Sequence, residues 1–305
     1  MNILSELKTS FRYGGVLTKL IYINIGIFVV AWLTNSFAPE VIDYFMLPAD
    51  GMKFLLQPWS MISYMFLHVE FMHILFNMLW LYWFGQLFVS FISQKQLLNV
   101  YLVGGISGGL LYMLIYNIVP SLNASNSLAL GASASVMAVV LAVAFYRPSQ
   151  TILLMFFGEI KIIYIALFAV GLDAMFIFSG ENVGGHIAHL GGAALGWFYA
   201  INYKKGRNVL LGFERFMDKV FSLLGQSSPS ESRRKATMTV NFGGKTTSNM
   251  PAGKRAEVDE ISYNARKKEN QDKIDRILEK ISKSGYDSLT TEEKETLFKE
   301  SNKLK

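Results

Sequence analysis

From Gln96 to Tyr146 the chain runs for 51 residues without an Asp, Glu, Lys or Arg. A bilayer core takes roughly 20 apolar residues per helix, so this run is too long for one crossing. Its middle, Pro120-Ser-Leu-Asn-Ala-Ser-Asn-Ser127, is polar and rich in turn formers. The run therefore divides into two spans, over about 97–118 and 130–146. The same scan finds uncharged stretches from Leu20 to Pro39 and from Phe71 to Gln94. It also finds Ile162 to Ser179, interrupted only by Asp173, and Asn182 to Tyr203. The pattern predicts an all-α polytopic membrane protein with six transmembrane helices.

Charge is divided as unevenly as hydropathy. Residues 1–203 carry 7 Lys and Arg against 8 Asp and Glu, whereas residues 204–305 carry 22 against 15. The net +6 is thus a property of the tail, and the apolar part has no basic face for nucleic acid. An ordinary soluble globular protein is excluded. With no cysteines, disulfide frameworks, thiol nucleophiles and thiolate metal sites are excluded too. Positive residues fix the orientation. With the N-terminus in the cytoplasm, Lys8, Arg12, Lys19, Lys95, Arg147, Lys161, Lys204, Lys205 and Arg207 all lie inside, and only Lys53 lies outside. Both termini are expected in the cytoplasm, with the 36–70, 119–130 and 180–184 loops facing out.

The polar first 19 residues do not read as a cleavable signal. Residues 40–65 hold short apolar pieces and read as an outer loop in the membrane interface, anchored by Trp59. Beyond the six-helix domain at 1–203, residues 204–225 form a juxtamembrane segment whose apolar positions suggest an amphipathic helix lying on the surface. Residues 226–267 read as a flexible linker, rich in Ser, Thr and Gly up to 253. Residues 268–305 read as a small helical hairpin. Ile274, Ile277, Leu278 and Ile281 make a helical stripe ended by Gly285, and Thr290 with Glu293 makes a capping box that starts the next helix.

The four histidines are His68, His73, His186 and His189, and all fall near the outer ends of the second and sixth spans. The fourth span opens with Gly131-Ala-Ser133 and runs in the same direction as those two. Topology alone therefore brings Ser133, His73 with Asn77, and His186 with His189 to the outer leaflet of parallel-running helices. Polar side chains at membrane depth are costly and default to functional hypotheses. His73 and Asn77, four apart, share one helical face. His189, Gly192 and Gly196 share another, and the glycines let a neighbouring backbone come close.

At these residues the sequence resembles the rhomboid family of intramembrane serine proteases, of bacterial type. The matches are His68-Val-Glu-Phe-Met-His73-Ile-Leu-Phe-Asn77, Gly131-Ala-Ser133 and Ala188-His189-Leu-Gly-Gly192-Ala-Ala-Leu-Gly196, in order on three helices. The resemblance covers about residues 15–203, and Trp59 resembles part of the family's first outer loop. It implies Ser133 as nucleophile and His189 as its base, then as acid for the leaving amine. It implies His73, Asn77 and the Ser133 N–H as the oxyanion hole, with Gly131, Gly192 and Gly196 in support. A serine needs such a neighbouring base, and the first turn of a helix favours a developing anion. The chain departs from the family pattern at Ala134, Met137, Ser60 and Val89.

Other chemistries fit less well. His68 and His73 are five apart with Glu70 between, whereas a helical zinc protease wants histidines at i and i+4. Asp173 is the one acid inside a span, too few for an aspartyl protease, and reads as a hydrogen-bonding group within the bundle near its outer side. Spacing places no carboxylate to complete a triad, so a Ser133–His189 dyad is the simpler reading, and His186 reads as an interfacial residue. No metal or cofactor is expected. The resulting expectation is an endopeptidase of the cytoplasmic membrane, cleaving transmembrane segments of membrane proteins, with its site opening outward. The alternative is a catalytically silent relative that binds or escorts membrane clients.

Overall fold

The computed structural model describes residues 3–154 and 158–223 and, in the tail, Ile277, Lys280, Leu289, Thr290 and Glu293. The chain divides into two compact units, residues 1–237 and 238–305. The first unit is built of helices. Helix α1 (Ile3–Tyr13) leads into α2 (Val16–Asn35). The outer loop then folds as three short helices, α3 (Pro39–Asp43), α4 (Gly51–Leu56) and α5 (Ser60–Ser63), with the short strand β1 (Leu47–Pro48) after the first. Helices α6 (Phe71–Phe91) and α7 (Gln94–Ile118) follow. After them come strand β2 (Leu128–Ala129), α8 (Ser133–Tyr146), strands β3 (Thr151–Leu154) and β4 (Gly158–Lys161), α9 (Ile162–Phe176), α10 (Val183–Tyr203) and α11 (Leu211–Leu223).

The six expected spans are α2, α6, α7, α8, α9 and α10. Four of them, α2, α6, α7 and α9 extended to Ser179, are long and apolar enough alone to cross a membrane. Helix α10 is diluted by five glycines, two histidines and Asn202. Helix α8 has only 14 residues. It can be short because protein, not lipid, surrounds it, and residues 134–144 are all buried.

Small residues make that burial possible. A Cβ on Gly192 would overlap the carbonyl oxygen of Ala134, and one on Gly196 would overlap that of Ala138. On the other side of α8, a Cβ on Gly108 of α7 would sit 2.5 Å from the Ala134 methyl. Helices α7, α8 and α10 therefore meet nearly backbone to backbone. The larger buried side chains, Tyr64, Tyr101, Phe88 and Tyr199, fill the space around this seam. Tyr101 bridges elements, its hydroxyl donating to the Met65 carbonyl at 3.1 Å and accepting from Asn24 Nδ2 at 3.1 Å.

Two small antiparallel sheets sit at the ends of the bundle. On the side of the outer loop, Leu47 pairs with Ala129 and Pro48 with Leu128. At the opposite end, β3 and β4 form a hairpin in the register Thr151 to Lys161 through Leu154 to Gly158. Neither was read from the sequence. Both are too short to show a strand period, and they leave the all-α class intact. Trp59 is half exposed, and its indole N–H donates to the Tyr44 carbonyl at 2.8 Å.

Helix α11 is amphipathic, as its sequence suggests, and it is also pinned. Lys95 Nζ lies 2.8 Å from Glu214 and 2.7 Å from Asp218, and Gln96 Nε2 donates to Glu214 at 2.7 Å. Phe213 and Met217 pack on the core while Phe216 and Leu223 stay exposed.

In the second unit the capping box forms in both directions. The Thr290 N–H donates to Glu293 Oε2 at 2.8 Å, and the Glu293 N–H donates to Thr290 Oγ1 at 3.3 Å. Lys280 adds an ion pair to Glu293 at 2.8 Å, and Ile277 and Leu289 are buried. The linker at 226–267, and Ile274, Leu278, Ile281 and Gly285, lie outside the described residues.

Candidate active site

Helix α8 begins at Ser133, so the N–H groups of its first turn have no partner within the helix. The approach to that turn is held from three sides. The β1–β2 pair fixes Leu128 and Ala129. The Gly131 N–H donates to the Tyr64 carbonyl at 2.9 Å. The Ala132 N–H donates to His68 Nε2 at 3.3 Å. His68 is fully buried in the loop before α6. Burial, reinforced by the neighbouring His73, pushes its imidazole down to about 3, so it stays neutral and can accept that bond.

Gly131 has φ +124°, a conformation that side chains rarely adopt. Its bare Cα also makes room for a ring. A Cβ there would stand 2.8 Å from His73 Nε2 and 3.7 Å from Ser133 Oγ. His73 and the serine hydroxyl thus flank the same glycine. Asn77, one turn after His73, is buried, and its Nδ2 donates to the His73 carbonyl at 2.9 Å. One amide hydrogen of that NH2 group is left over for another acceptor.

On the opposite wall, the Asp173 carboxylate receives two imidazoles. His186 Nδ1 and His189 Nδ1 each lie 2.8 Å from the same oxygen, Asp173 Oδ1. An ionised carboxylate only accepts, so both Nδ1 atoms donate to it, and in a neutral ring that leaves Nε2 as the acceptor. His186 also stacks on Phe176 at 5.5 Å between ring centroids. This arrangement departs from the sequence reading in two ways. A carboxylate does stand behind His189, and His186 turns into the site instead of facing the membrane interface.

The signal was present but spread over two helices. Asp173 lies three residues before the end of α9, and His186 and His189 lie three and six residues into α10. Residues equally far from an antiparallel turn sit at one depth.

Ser133, His73, Asn77, Asp173, His186 and His189 all line one cavity of about 1180 Å³, together with Glu70, Met137 and Trp80. Among the described residues Ser133 Oγ makes no hydrogen bond to His189. Such contacts are often long without substrate and tighten in the reacting complex. Gly192 and Gly196 stand behind the site, where they bring α10 onto α8. The arrangement offers a hydroxyl, an imidazole with a free acceptor nitrogen held by a carboxylate, and several N–H donors at a helix start.

A family model for the rhomboid domain matches residues 55–205, and a second, for a family of unknown function (DUF6576), matches residues 255–303. The chain is 30% identical over 203 residues to RHOMBOID-like protein 12, mitochondrial, of Arabidopsis thaliana, covering 63% of this chain and 59% of that protein. It is 28% identical over 193 residues to presenilin-associated rhomboid-like protein, mitochondrial, of Bos taurus, covering 60% and 47%. It is also 28% identical over 106 residues to rhomboid protease GlpG of Pectobacterium atrosepticum, covering 34% and 37%. The chain thus spans about three fifths or less of the length of these relatives. The matched domain contains α6 to α10 and every residue of the cavity wall named above, and the chain belongs to the rhomboid family, whose named members include a protease.

Proposed function

We propose that the chain is an intramembrane serine endopeptidase that cleaves transmembrane segments of membrane proteins. The observation that carries this reading is the convergence of Ser133, His73, Asn77 and His189 on one cavity, with the Asp173 carboxylate on His189 Nδ1. Ser133 Oγ attacks the scissile carbonyl and gives its proton to His189 Nε2. The negative charge that forms on the carbonyl oxygen is met by the Ser133 N–H, the His73 ring and the Asn77 amide. His189 then protonates the leaving amine, and a water activated by the same nitrogen hydrolyses the acyl-enzyme. Asp173 holds the imidazole in the tautomer whose Nε2 can accept a proton, so the dyad works with a third group behind it.

Substrate must present an unwound stretch of backbone, because a helix hides its carbonyls in its own hydrogen bonds. The distribution of Lys and Arg supports cytoplasmic termini and a cavity that opens to the outer side. We assign this activity to residues 1–203. Residues 204–225 then serve as a docked juxtamembrane segment, 226–267 as a linker and 268–305 as a separate small helical unit.

The test is labelling of the full chain in detergent with a fluorophosphonate probe, read by mass spectrometry. The expected result is an adduct on Ser133 that disappears in His189→Ala. It should fall by roughly 10²–10⁴-fold in rate in Asp173→Asn, where the wrong tautomer is favoured. Unlabelled Ser133 in demonstrably folded protein refutes the reading in favour of a client-binding role, and labelling that survives His189→Ala refutes the role of the base.

A further inference from the structure

The proposed proton transfer uses one imidazole, yet Asp173 holds two. His186 is surplus to that chemistry, although it is placed with the same care as His189. Its Nδ1 is 2.8 Å from Asp173 Oδ1, its ring stacks on Phe176, and its side chain is only 17% exposed. We infer that Asp173, His186 and His189 form a binding site for a zinc-class divalent ion, which switches off the catalytic base when it binds. The binding half of this inference stands on those three side chains. Its effect on cleavage rests on the proposed roles of Ser133 and His189.

The donor set suits such an ion. Each residue offers one ligand atom, and these atoms all lie within 4.8 Å of one another, the one such cluster among the described residues. Zinc binds imidazole nitrogen at about 2.0–2.1 Å and carboxylate oxygen at about 2.0–2.2 Å. Three donors around one ion then stand roughly 3–3.5 Å apart, so small side-chain shifts from the present spacing accommodate it. Two neutral imidazoles and one carboxylate are also a mixture that selects transition metals over magnesium or calcium. The cavity borders all three side chains, leaving a fourth position for water and a route of entry. Without metal the three groups satisfy one another through two N–H···O bonds, so an ion must displace those bonds. This favours reversible occupancy over a permanent structural metal.

The consequence for the base follows from proton placement. In the proposed mechanism Nδ1 of His189 carries the hydrogen and Nε2 carries the lone pair that takes the serine proton. An ion on Nδ1 needs that lone pair there, so the proton moves through solvent to Nε2 and the ring stays neutral. No electron is transferred and no proton is gained. Nε2 becomes a donor and can no longer accept the serine proton. The same residues thus alternate between a catalytic array and a metal cage, and the second histidine makes the cage tridentate.

Two readouts separate the halves. Equilibrium dialysis of the full-length Ser133→Ala chain in detergent against buffered Zn²⁺, with bound metal counted by mass spectrometry, measures binding without catalysis. The expected result is one ion per chain, with affinity at least about tenfold weaker in both His186→Gln and Asp173→Asn, each checked for folding by thermal melting. Zinc that is not retained by the folded chain, or is retained equally by both variants, overturns the site. In the second arm, probe labelling of Ser133 in the otherwise unchanged chain is followed against free Zn²⁺ and after chelation. Labelling should fall in step with occupancy and return with chelator. Unchanged labelling at full occupancy overturns the switch while leaving the site. A chain that never labels, with or without zinc, identifies the serine–histidine reading as the failure.

Discussion

At the scale of single residues, the tightest constraint is a missing side chain. Gly192 faces the Ala134 carbonyl with no space for a methyl group, and Ala134 follows the proposed nucleophile directly. Gly192→Ala must push α10 away from α8 or shift the start of α8. We expect a loss of about 1–3 kcal/mol in stability and a larger loss of cleavage. The comparison is Gly26→Ala on α2, where nothing lies within 4 Å of the added carbon. That change should be neutral or stabilise by up to about 1 kcal/mol through helix propensity. Melting in detergent and model-substrate cleavage, run on both variants, check the pair. Equal damage at both glycines would contradict the seam.

Residue identity made Ser133, His73, Asn77 and His189 legible from sequence, because they lie in short motifs with helical spacing. Asp173 was seen as the lone acid in a span, but its partners were not. Its contacts depend on how far α9 and α10 each run before turning, which local spacing does not encode. The bond from Ala132 to His68 was hidden for the same reason, since it joins two loops separated by two complete spans.

At the scale of elements, the spans were legible to within a few residues because charge marks their ends. The β1–β2 pair was not, since two-residue strands have no period to read. Helix α11 was legible as amphipathic, but its attachment was not. Glu214 is held below the ordinary carboxyl value of 4.5. Burial works against this, but hydrogen bonds from Lys95, Asn208 and Gln96 and the Lys95 charge outweigh it. A carboxyl depressed in the folded state contributes stability above its unfolded value and loses it as pH falls through the folded value. Docking of α11 should therefore be intact at neutral pH and weaken as pH drops below 4.5. The chain has no cysteine, so a spin label on Phe216→Cys reports on this helix alone. Label mobility should rise on acidification, and Lys95→Ala should raise it already at neutral pH. Mobility independent of both would show that apolar contacts of Phe213 and Met217 hold the helix.

At the scale of the whole molecule, composition separates an almost charge-neutral membrane part, residues 1–203, from a basic tail, whereas the two compact units divide later, at residue 237. If the activity belongs to the helical bundle, a chain ending at 225 should label on Ser133 and cleave a model substrate at the rate of the full chain. A truncated protein that melts normally but has lost cleavage would assign the tail a part in catalysis. Retained cleavage would leave the tail to govern where the protein resides or what it meets.

The shortness of α8 also bears on the supply of a reactant. The proposed hydrolysis consumes one water for each bond broken, and hydrocarbon holds almost none. A helix of 14 residues covers about 21 Å, well short of a hydrocarbon core of about 30 Å. A helix that short leaves about 9 Å of such a core unspanned, and the cavity lined by Ser133 lies at its N-terminal end. At about 30 Å³ per molecule, a cavity of some 1180 Å³ has space for on the order of 40 waters. In the proposed reaction, the shortness of this span is what lets the aqueous phase reach down to the serine.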